Sequence, residues 1–252
     1  MNVRRSAVDL DELYAVCKRH AYSGADVVVP EPYVPHFPTK LSDWNGTLVV
    51  AVAQNLAHKQ SEYREWLESL EPHDSWNRLN IDGSPLDGIG IGPWDDGTMK
   101  LCVAALRGAD AVQGVAVSNA VLWSGPGSGL SGALSEDAKA ASAEAWREML
   151  HAMNPAKVIA FGADARNVMR RAGVPDHRLV EMPGPFSKIY NIGFKMDVQR
   201  LLSAFPEVAK AKADLAGLVK LKNEALAIHC ACACVSRMIK RKERDLAGCA
   251  EA

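Results

Sequence analysis

The sequence predicts a three-layer αβα protein in which a central, mainly parallel four-stranded sheet carries helices on both faces. Two observations indicate this class. Short apolar runs of strand length recur along the chain, and stretches of helical periodicity lie between them. Strand and helix therefore alternate, which favours a parallel sheet with helical crossovers. With 252 residues the chain can bury such a core, and we expect a single domain over residues 1–252.

A helix and a loop precede the first predicted strand. Residues 8–20 have helical periodicity and follow Ser6, a residue type that caps helices. Residues 22–46 are rich in proline and aromatic side chains, which predicts an ordered loop that wraps the domain. Residues 47–53 form a continuous apolar run, the pattern of a strand that is covered on both faces. The domain core is therefore expected to extend over about residues 47–195.

Capping residues and apolar runs predict the rest of the core. We predict a helix over residues 60–70, then a polar loop, then a short helix that Thr98 caps and that ends near Gly108. Asn154 and Pro155 end an alanine-rich helix, because the residue before a proline disfavours helical geometry. The other predicted elements are a strand over 112–119, the alanine-rich helix over 135–153, a strand over 157–162, a helix ending at Arg171 and a strand over 178–182.

Residues 196–252 are predicted to form a C-terminal helical extension, with breaks at Pro206 and near Gly217. Its segment 237–244 is strongly basic, and we interpret it first as a solvated helix face. Six cysteines lie at positions 17, 102, 230, 232, 234 and 249 without Cys-x-x-Cys spacing. This pattern indicates free and mostly buried thiols.

Charge and hydropathy exclude some classes of function. The formal net charge is −1 and the isoelectric point is about 6.7, so any contact with DNA must come from local basic clusters. The candidates for such a DNA-facing side, with helix-surface solvation as the commoner role, are Arg166, Arg170, Arg171 and Arg178. No apolar stretch approaches the length of a membrane span, and the amino terminus lacks the core of a signal peptide. We therefore expect a cytoplasmic protein with no membrane partner.

Three short segments at the carboxyl ends of predicted strands carry the candidate chemistry. In a parallel α/β sheet, ligands bind in the crevice outside these strand ends. The segments are Ala53-Gln54-Asn55-Leu56-Ala57-His58, Asn119-Ala120-Val121-Leu122 and Met182-Pro183-Gly184-Pro185-Phe186-Ser187. They resemble, in order, three motifs of the uracil-DNA glycosylase superfamily: the water-activating Gly-Gln-Asp-Pro-Tyr-His or Gly-x-Asn-Pro-Gly, the strand end Asn-Ala-Val-Leu, and the late His-Pro-Ser-Pro-Leu-Ser. A methionine at the first late position is also similar to the thymine- and mismatch-specific branch.

The resemblance covers roughly residues 48–193 and implies a uracil-DNA glycosylase-like fold. It also implies a monofunctional DNA glycosylase, which hydrolyses the N-glycosidic bond of a flipped-out pyrimidine and leaves an abasic site. The catalytic residues implied are Asn55, with Gln54 and His58 beside it. An amide is a weak base, so Asn55 would orient the attacking water more than deprotonate it. The alternatives are a turn after the strand for Asn55 and a surface position for His58.

The base-binding residues that the resemblance implies are Asn119, Ala57, Met182 and Trp94. Asn119 offers a donor and an acceptor to the Watson–Crick edge of a pyrimidine, with a loop cap as the alternative. Ala57 replaces a tyrosine of the uracil-specific branch, which leaves room beside C5 of the base. Met182 replaces a histidine that supports the departing base. These departures favour a C5-modified pyrimidine over uracil, such as those of hypermodified phage DNA, with a role in defence or in repair in a bacterium or a phage.

Trp94 is the candidate for stacking on the base, and core packing is the alternative. It lies in a glycine-rich stretch that superficially resembles a phosphate loop, but that stretch follows a polar loop and not a strand. The adjacent Asp95 and Asp96 are candidates for an acid or a metal ligand, but paired aspartates before a glycine usually form a turn.

The late motif implies a group of DNA-binding residues. These are Pro183, Gly184, Pro185, Phe186, Ser187 and Lys188. Phe186 matches the leucine wedge of the family, which fills the gap left by a flipped base, and a core position is the alternative. Gly184 replaces a phosphate-gripping serine, so Ser187 and Lys188 would take over that contact.

Two other classes of function stay open at this point: a non-catalytic sensor of modified bases or of DNA, and a hydrolase of free nucleosides or nucleotides. We expect double- or single-stranded DNA as the partner, a monomeric protein and no cofactor. The cysteines at 230, 232 and 234 invite a metal interpretation, since some branches of the family hold an iron–sulfur cluster with four cysteines. The early Cys-x-x-Cys pair of those branches is missing here, and we predict no metal site.

Overall fold

Helices and strands alternate in the computed structural model, which describes Val8, Tyr22 and residues 10–20, 35–38, 41–52, 92–123, 135–184 and 197–250. The strands are β1 (Thr47–Ala51), β2 (Val115–Asn119), β3 (Lys157–Phe161) and β4 (Leu179–Met182). The helices are α1 (Leu10–Arg19), α2 (Gly92–Asp95), α3 (Thr98–Arg107), α4 (Asp110–Gln113), α5 (Glu136–Met153), α6 (Ala163–Arg171), α7 (Val198–Ala204), α8 (Pro206–Asp214) and α9 (Glu224–Ala250). A single 3₁₀ turn at Leu41–Asp43 precedes β1.

The four strands form one parallel sheet in the order β2-β1-β3-β4. Every residue of β1 and β2 is buried, because helices cover the sheet and leave no polar face. β2 and β4 are the outer strands. Val117, in the middle of β2, forms an isolated antiparallel bridge with His36. The prediction of a mainly parallel four-stranded sheet is confirmed.

The helices flank the sheet in two groups. α5 packs against α1 and against α6, and α6 also contacts β3. In the other group α3 packs against α8 and α9, and α7 packs against the same two helices. This arrangement is consistent with a three-layer α/β fold.

Two predicted helix breaks, at Asn154 and at Pro206, are confirmed, and Ser135 lies just before α5 as its cap. The Oγ of Ser135 accepts a hydrogen bond from the Ala138 backbone at 3.1 Å and caps α5. Asn154 ends that helix in the left-handed conformation, with φ of 44°. Pro206 is the first residue of α8 and separates it from α7. The helix predicted over 60–70 lies outside the described residues.

Three predicted boundaries are wrong. β1 ends at Ala51, because the pairing of β1 with both neighbouring strands ends there. Val112 belongs to α4, where its backbone donates to Ala109, and β2 begins only at Val115. Thr98 is the first residue of α3 and not its cap. The cap position is Gly97, at φ of 83°, and the Asp96 carboxylate accepts a hydrogen bond from the Thr98 backbone at 2.8 Å.

The amino half of α9 belongs to the core. Residues 230, 232 and 234 are all buried, and Cys102 of α3 is hydrogen-bonded to Cys234. The four cysteines whose side chains are described are free, as predicted. Burial raises the pKa of the Cys232 thiol to about 11, so this thiol stays protonated at neutral pH. No group of three or more His, Cys, Asp or Glu residues in the described part of the chain is arranged to hold a metal ion.

Of the helices that the structure describes, none is both long and apolar enough to cross a bilayer.

Candidate functional site

The ends of the four strands align in one row at the carboxyl edge of the sheet. Ala51 pairs with Asn119 on one side and with Phe161 on the other, and Phe161 pairs with Met182. Because neighbouring strands lie ~4.8 Å apart, the backbones of Asn119 and Met182 are about 14 Å from each other. The first motif follows β1 in the sequence, and β1 ends beside Asn119; the third motif begins with Met182, the last residue of β4. The parallel topology therefore directs the starts of all three motif segments to one edge.

Asn119 is the last residue of β2 and is fully buried. The backbone that follows it is tied to the central strand, since Ala120 donates to the carbonyl of Ala51 at 2.7 Å. Residues 120–123 are also fully buried. The segment that carries Asn119 is thus part of the core and not of a surface loop. A planar amide with a donor and an acceptor is held at the strand end with a fixed backbone.

Helix α5 holds the segment after Asn119 with two side chains that the sequence analysis missed. The indole Nε1 of Trp146 donates to the Ala120 carbonyl at 2.9 Å. The backbone of Leu122 donates to Ser142 Oγ at 3.1 Å, and this hydroxyl donates to the Ala138 carbonyl at 2.7 Å. Ser142 and Trp146 are four residues apart and face the same side of the helix. That spacing, on a helix otherwise rich in alanine, was the available sequence signal.

Met182 and Gly184 occupy the other side of the row. The side chain of Met182 lies in the core, with an exposed fraction of 3%, and its carbonyl accepts a hydrogen bond from Gly162 at 2.9 Å. Gly184 lies against Gly162, because a Cβ added at Gly184 would be 3.3 Å from the Gly162 Cα. Gly162 itself has φ of 93°, which favours glycine. The glycine at 184, where the family has a serine, is thus explained by close backbone packing.

Trp94 lies in α2, half-buried ahead of α3. The ammonium group of Lys100 is 5.6 Å from the centre of the Trp94 ring, a cation–π distance. One face of this ring is therefore in contact with Lys100. The neighbouring Asp96 accepts from Thr98 with its carboxylate and from Lys222 with its carbonyl, so the interpretation of Asp96 as a turn residue is confirmed.

The four arginines suggested for a DNA-facing side separate into three places. Arg166 and Arg170 both approach the Glu181 carboxylate in β4. Arg171 instead pairs with Glu136 at 3.1 Å, and hydrogen bonds from Lys139 and Arg171 lower the pKa of that glutamate. Arg178 donates to Asn154 Oδ1 at 3.0 Å, at the amino end of the sheet.

The basic segment 237–244 is only partly a solvated face. Arg237 approaches Glu181 at 3.4 Å, beside the arginines of α6. Arg241 donates to the backbone carbonyls of Leu179 at 3.1 Å and Asp176 at 3.3 Å. The segment therefore anchors α9 on the outer strand β4.

A cavity of about 680 Å³ lies at the opposite end of the sheet, between the ends of α5 and α6. Arg147 and Arg178 line it, but Arg147 donates to the Arg171 carbonyl and Arg178 to Asn154. None of the described motif residues, 119–122 and 182–184, lines this cavity.

The other predicted site residues lie outside the described residues. They are Gln54, Asn55, Ala57 and His58 of the first motif and Pro185, Phe186, Ser187 and Lys188 of the third. Their roles stay predictions, as do the ligand contacts of Asn119, Trp94, Met182 and Pro183.

Comparison with protein-family models and with curated proteins gives no match for this chain.

Proposed function

We propose that the protein is a DNA glycosylase that removes a pyrimidine from DNA by hydrolysis. The observation that carries the proposal is the alignment of Asn119 with Ala51 at the carboxyl edge of the sheet, where a parallel α/β fold binds its ligands. The motif resemblance supplies the reaction. The strand order β2-β1-β3-β4 supports it further, because the first motif then leaves from the central part of the row, next to Asn119.

Hydrolysis of an N-glycosidic bond creates positive charge on the sugar and negative charge on the departing base. Asn55 orients the attacking water through its side-chain carbonyl, and Gln54 and His58 support that water or a base carbonyl. Asn119 binds the Watson–Crick edge of the flipped base with its amide. Gln54 and Asn55 are three and four residues beyond Ala51, so the chain can span at most ~14 Å from that strand end, a reach that includes the neighbourhood of Asn119.

The preferred base carries a substituent at C5. Ala57 leaves space there, and Met182 supplies no hydrogen bond to the base anion, so a good leaving group compensates. An electron-withdrawing or bulky C5 group meets both conditions. Plain uracil is then the poorer substrate.

The test is base release from a panel of duplexes that contain uracil, thymine mismatches, or C5-substituted cytosine and thymine. Abasic sites are revealed by cleavage with alkali. We expect release from at least one C5-substituted duplex, and a loss of release in Asn55→Ala without a loss of DNA binding. Asn45→Ala is the matched control, because Asn45 binds backbone groups at the opposite end of the sheet.

Three results would contradict this proposal. Ready removal of plain uracil with no release of C5-substituted bases would overturn the substrate preference. Binding of modified duplexes without release from any of them would favour the non-catalytic sensor. Release of base from free nucleosides but not from DNA would favour a nucleoside hydrolase.

A further inference from the structure

Three guanidinium groups converge on one carboxylate beside the third motif. The carboxylate is that of Glu181 in β4, the residue before Met182. Arg170 lies 2.7 Å from it, Arg237 lies 3.4 Å from it and Arg166 lies 3.8 Å from it. We call these four residues the Glu181 cluster. Its members come from α6, β4 and α9, and the basic residues of the sequence do not by themselves indicate that they meet at one carboxylate.

The Glu181 cluster has more donors than its own acceptor can use. Each guanidinium carries five N–H donors and a carboxylate offers about four lone-pair sites, so most of the donors face other acceptors. The arginine side chains are between a third and a half exposed, whereas Glu181 is 19% exposed. The more buried carboxylate of Glu181 therefore holds the three arginine side chains in place, while part of each guanidinium faces solvent.

The charged residues next to the Glu181 cluster do not neutralise its net positive charge. Arg241 adds a fourth guanidinium, and Asp176 is the second carboxylate, 3.8 Å from Arg170 and 86% exposed. Four arginines thus stand against two carboxylates, a local charge of +2 in a chain of net charge −1. Exposed pairs such as Arg170 with Asp176 contribute little and exchange readily for another anion.

A cavity of about 310 Å³ opens within this group, lined by Arg170, Glu181, Arg237 and Arg241 among others. It has the space of about ten water molecules, which accommodates a tetrahedral anion and part of its hydration shell. Planar guanidinium groups bind phosphate oxygens in a bidentate manner. The chemistry of the site therefore fits a phosphate group better than it fits a neutral ligand.

We propose that the Glu181 cluster binds backbone phosphates of duplex DNA. The identification of the polyanion as DNA rests on the proposed function, while the anion site itself rests on the convergence of the arginines. The cluster lies directly before the loop that carries Pro183 and Gly184, so phosphates held here flank the nucleotide that enters the candidate site. The contact is independent of base sequence and positions the duplex.

The experiment measures binding of a labelled duplex without modified bases over a range of salt concentrations. The variant is Arg170→Gln with Arg237→Gln. The control is Arg19→Gln with Lys210→Gln, which removes the same charge from residues paired elsewhere; Arg19 is 50% exposed and Arg170 is 52% exposed. We expect the variant to bind roughly tenfold more weakly or worse and its salt slope to fall by about 1 for each lost phosphate contact. The control should bind like the wild type.

A third variant, Arg170→Lys with Arg237→Lys, keeps the charge and loses the bidentate geometry. It should retain the salt slope and lose part of the affinity, and it supplies the readout if the glutamine variant does not fold. Equal affinities and slopes for all the proteins would overturn the proposal, and so would an equal loss in the control.

Base release is measured on the same proteins, so that the two proposals fail separately. If no duplex loses a base but the glutamine variant alone binds DNA weakly, the proposed function fails and the phosphate site stands. If base is released and DNA binding does not depend on Arg170 and Arg237, the phosphate site fails and the proposed function stands.

Discussion

The two ends of the sheet are closed by different means. At the amino end the side chain of Asn45 binds the backbone: its Nδ2 donates to Ala111 at 3.2 Å and its Oδ1 accepts from Thr47 at 3.0 Å. At the carboxyl end the backbone after Asn119 is held by β1 and by Ser142 and Trp146 of α5. At the amino end, an asparagine side chain binds the backbone. At the carboxyl end, side chains of a helix do so. We therefore assign stability to Asn45, whereas ligand recognition by Asn119 is part of the proposed function.

The largest expected effect is the loss of folding stability at acid pH that results from the burial of His36. It acts on both ends of the sheet. His36 is bonded through its backbone to Val117, midway along β2, and burial lowers the pKa of its imidazole from 6.5 to about 3. The unfolded chain binds this proton below about pH 6.5 and the folded chain does not. Above pH 6.5 the neutral His36 costs the folded state no proton. Below pH 6.5 the free energy of unfolding falls by roughly 1.4 kcal/mol per pH unit, and by about 5 kcal/mol in all when pH 3 is reached.

Urea unfolding of the wild type and of His36→Gln at pH 7 and pH 4 measures this effect. The wild type should lose more stability than the variant over this range. An equal loss in the two proteins would show that carboxylates, and not His36, set the acid sensitivity. Hydrogen exchange at Val115 and Ala120 should rise together, because acid loosens both ends of β2.

Asn119→Ala is expected to have the next largest effect, on base release. Removing one preorganised donor from such a site costs about 100- to 1000-fold in rate. Base release from the preferred duplex should fall by at least ~100-fold with DNA binding retained. A variant that releases base as fast as the wild type would remove Asn119 from the recognition of the base.

Asn45→Ala should produce the opposite pattern. It deletes two hydrogen bonds to backbone groups, each contributing ~1 kcal/mol, so the free energy of unfolding should fall by about 2 kcal/mol. Base release per folded molecule should not change. If Asn45→Ala slowed base release as strongly as Asn119→Ala, the two ends of the sheet would not be functionally distinct.

Trp146→Phe has the smallest expected effect and tests whether α5 positions Asn119. It leaves the Ala120 carbonyl without the indole donor, which costs ~1–2 kcal/mol of stability. Base release should fall by about tenfold, mainly in kcat, because the amide loses its fixed position. An effect on stability alone would show that Trp146 is only a core residue.

The sequence predicts the elements of this fold well where local chemistry determines them. Ser135 caps α5 and Pro206 starts α8, since each acts on backbone groups within three residues. The parallel sheet follows from alternating apolar and amphipathic segments. The predicted strand over 112–119 includes Val112, which lies in α4. The prediction is wrong there because an apolar run does not distinguish a strand from one turn of a buried helix.

The strand order and the contacts between residues distant in the sequence could not be predicted from the sequence. The strand order depends on how the crossovers pack, and the hydrogen bond from Trp146 to Ala120, beside Asn119, joins residues 26 positions apart. A single glutamate in a short strand gives no sequence signal of its own. In the structure, however, Glu181 is approached by Arg166, Arg170 and Arg237. The site that can be predicted from sequence is therefore a set of strand ends, and its surroundings come only from the packing.

Both outer strands of the sheet have backbone groups occupied by the protein itself. His36 takes the amide and carbonyl of Val117 on β2, and Arg241 takes the carbonyl of Leu179 on β4. An unoccupied outer strand is a template on which another chain can add by β-pairing. These contacts leave fewer backbone groups free for such pairing, and we expect the loss of either one to lower solubility.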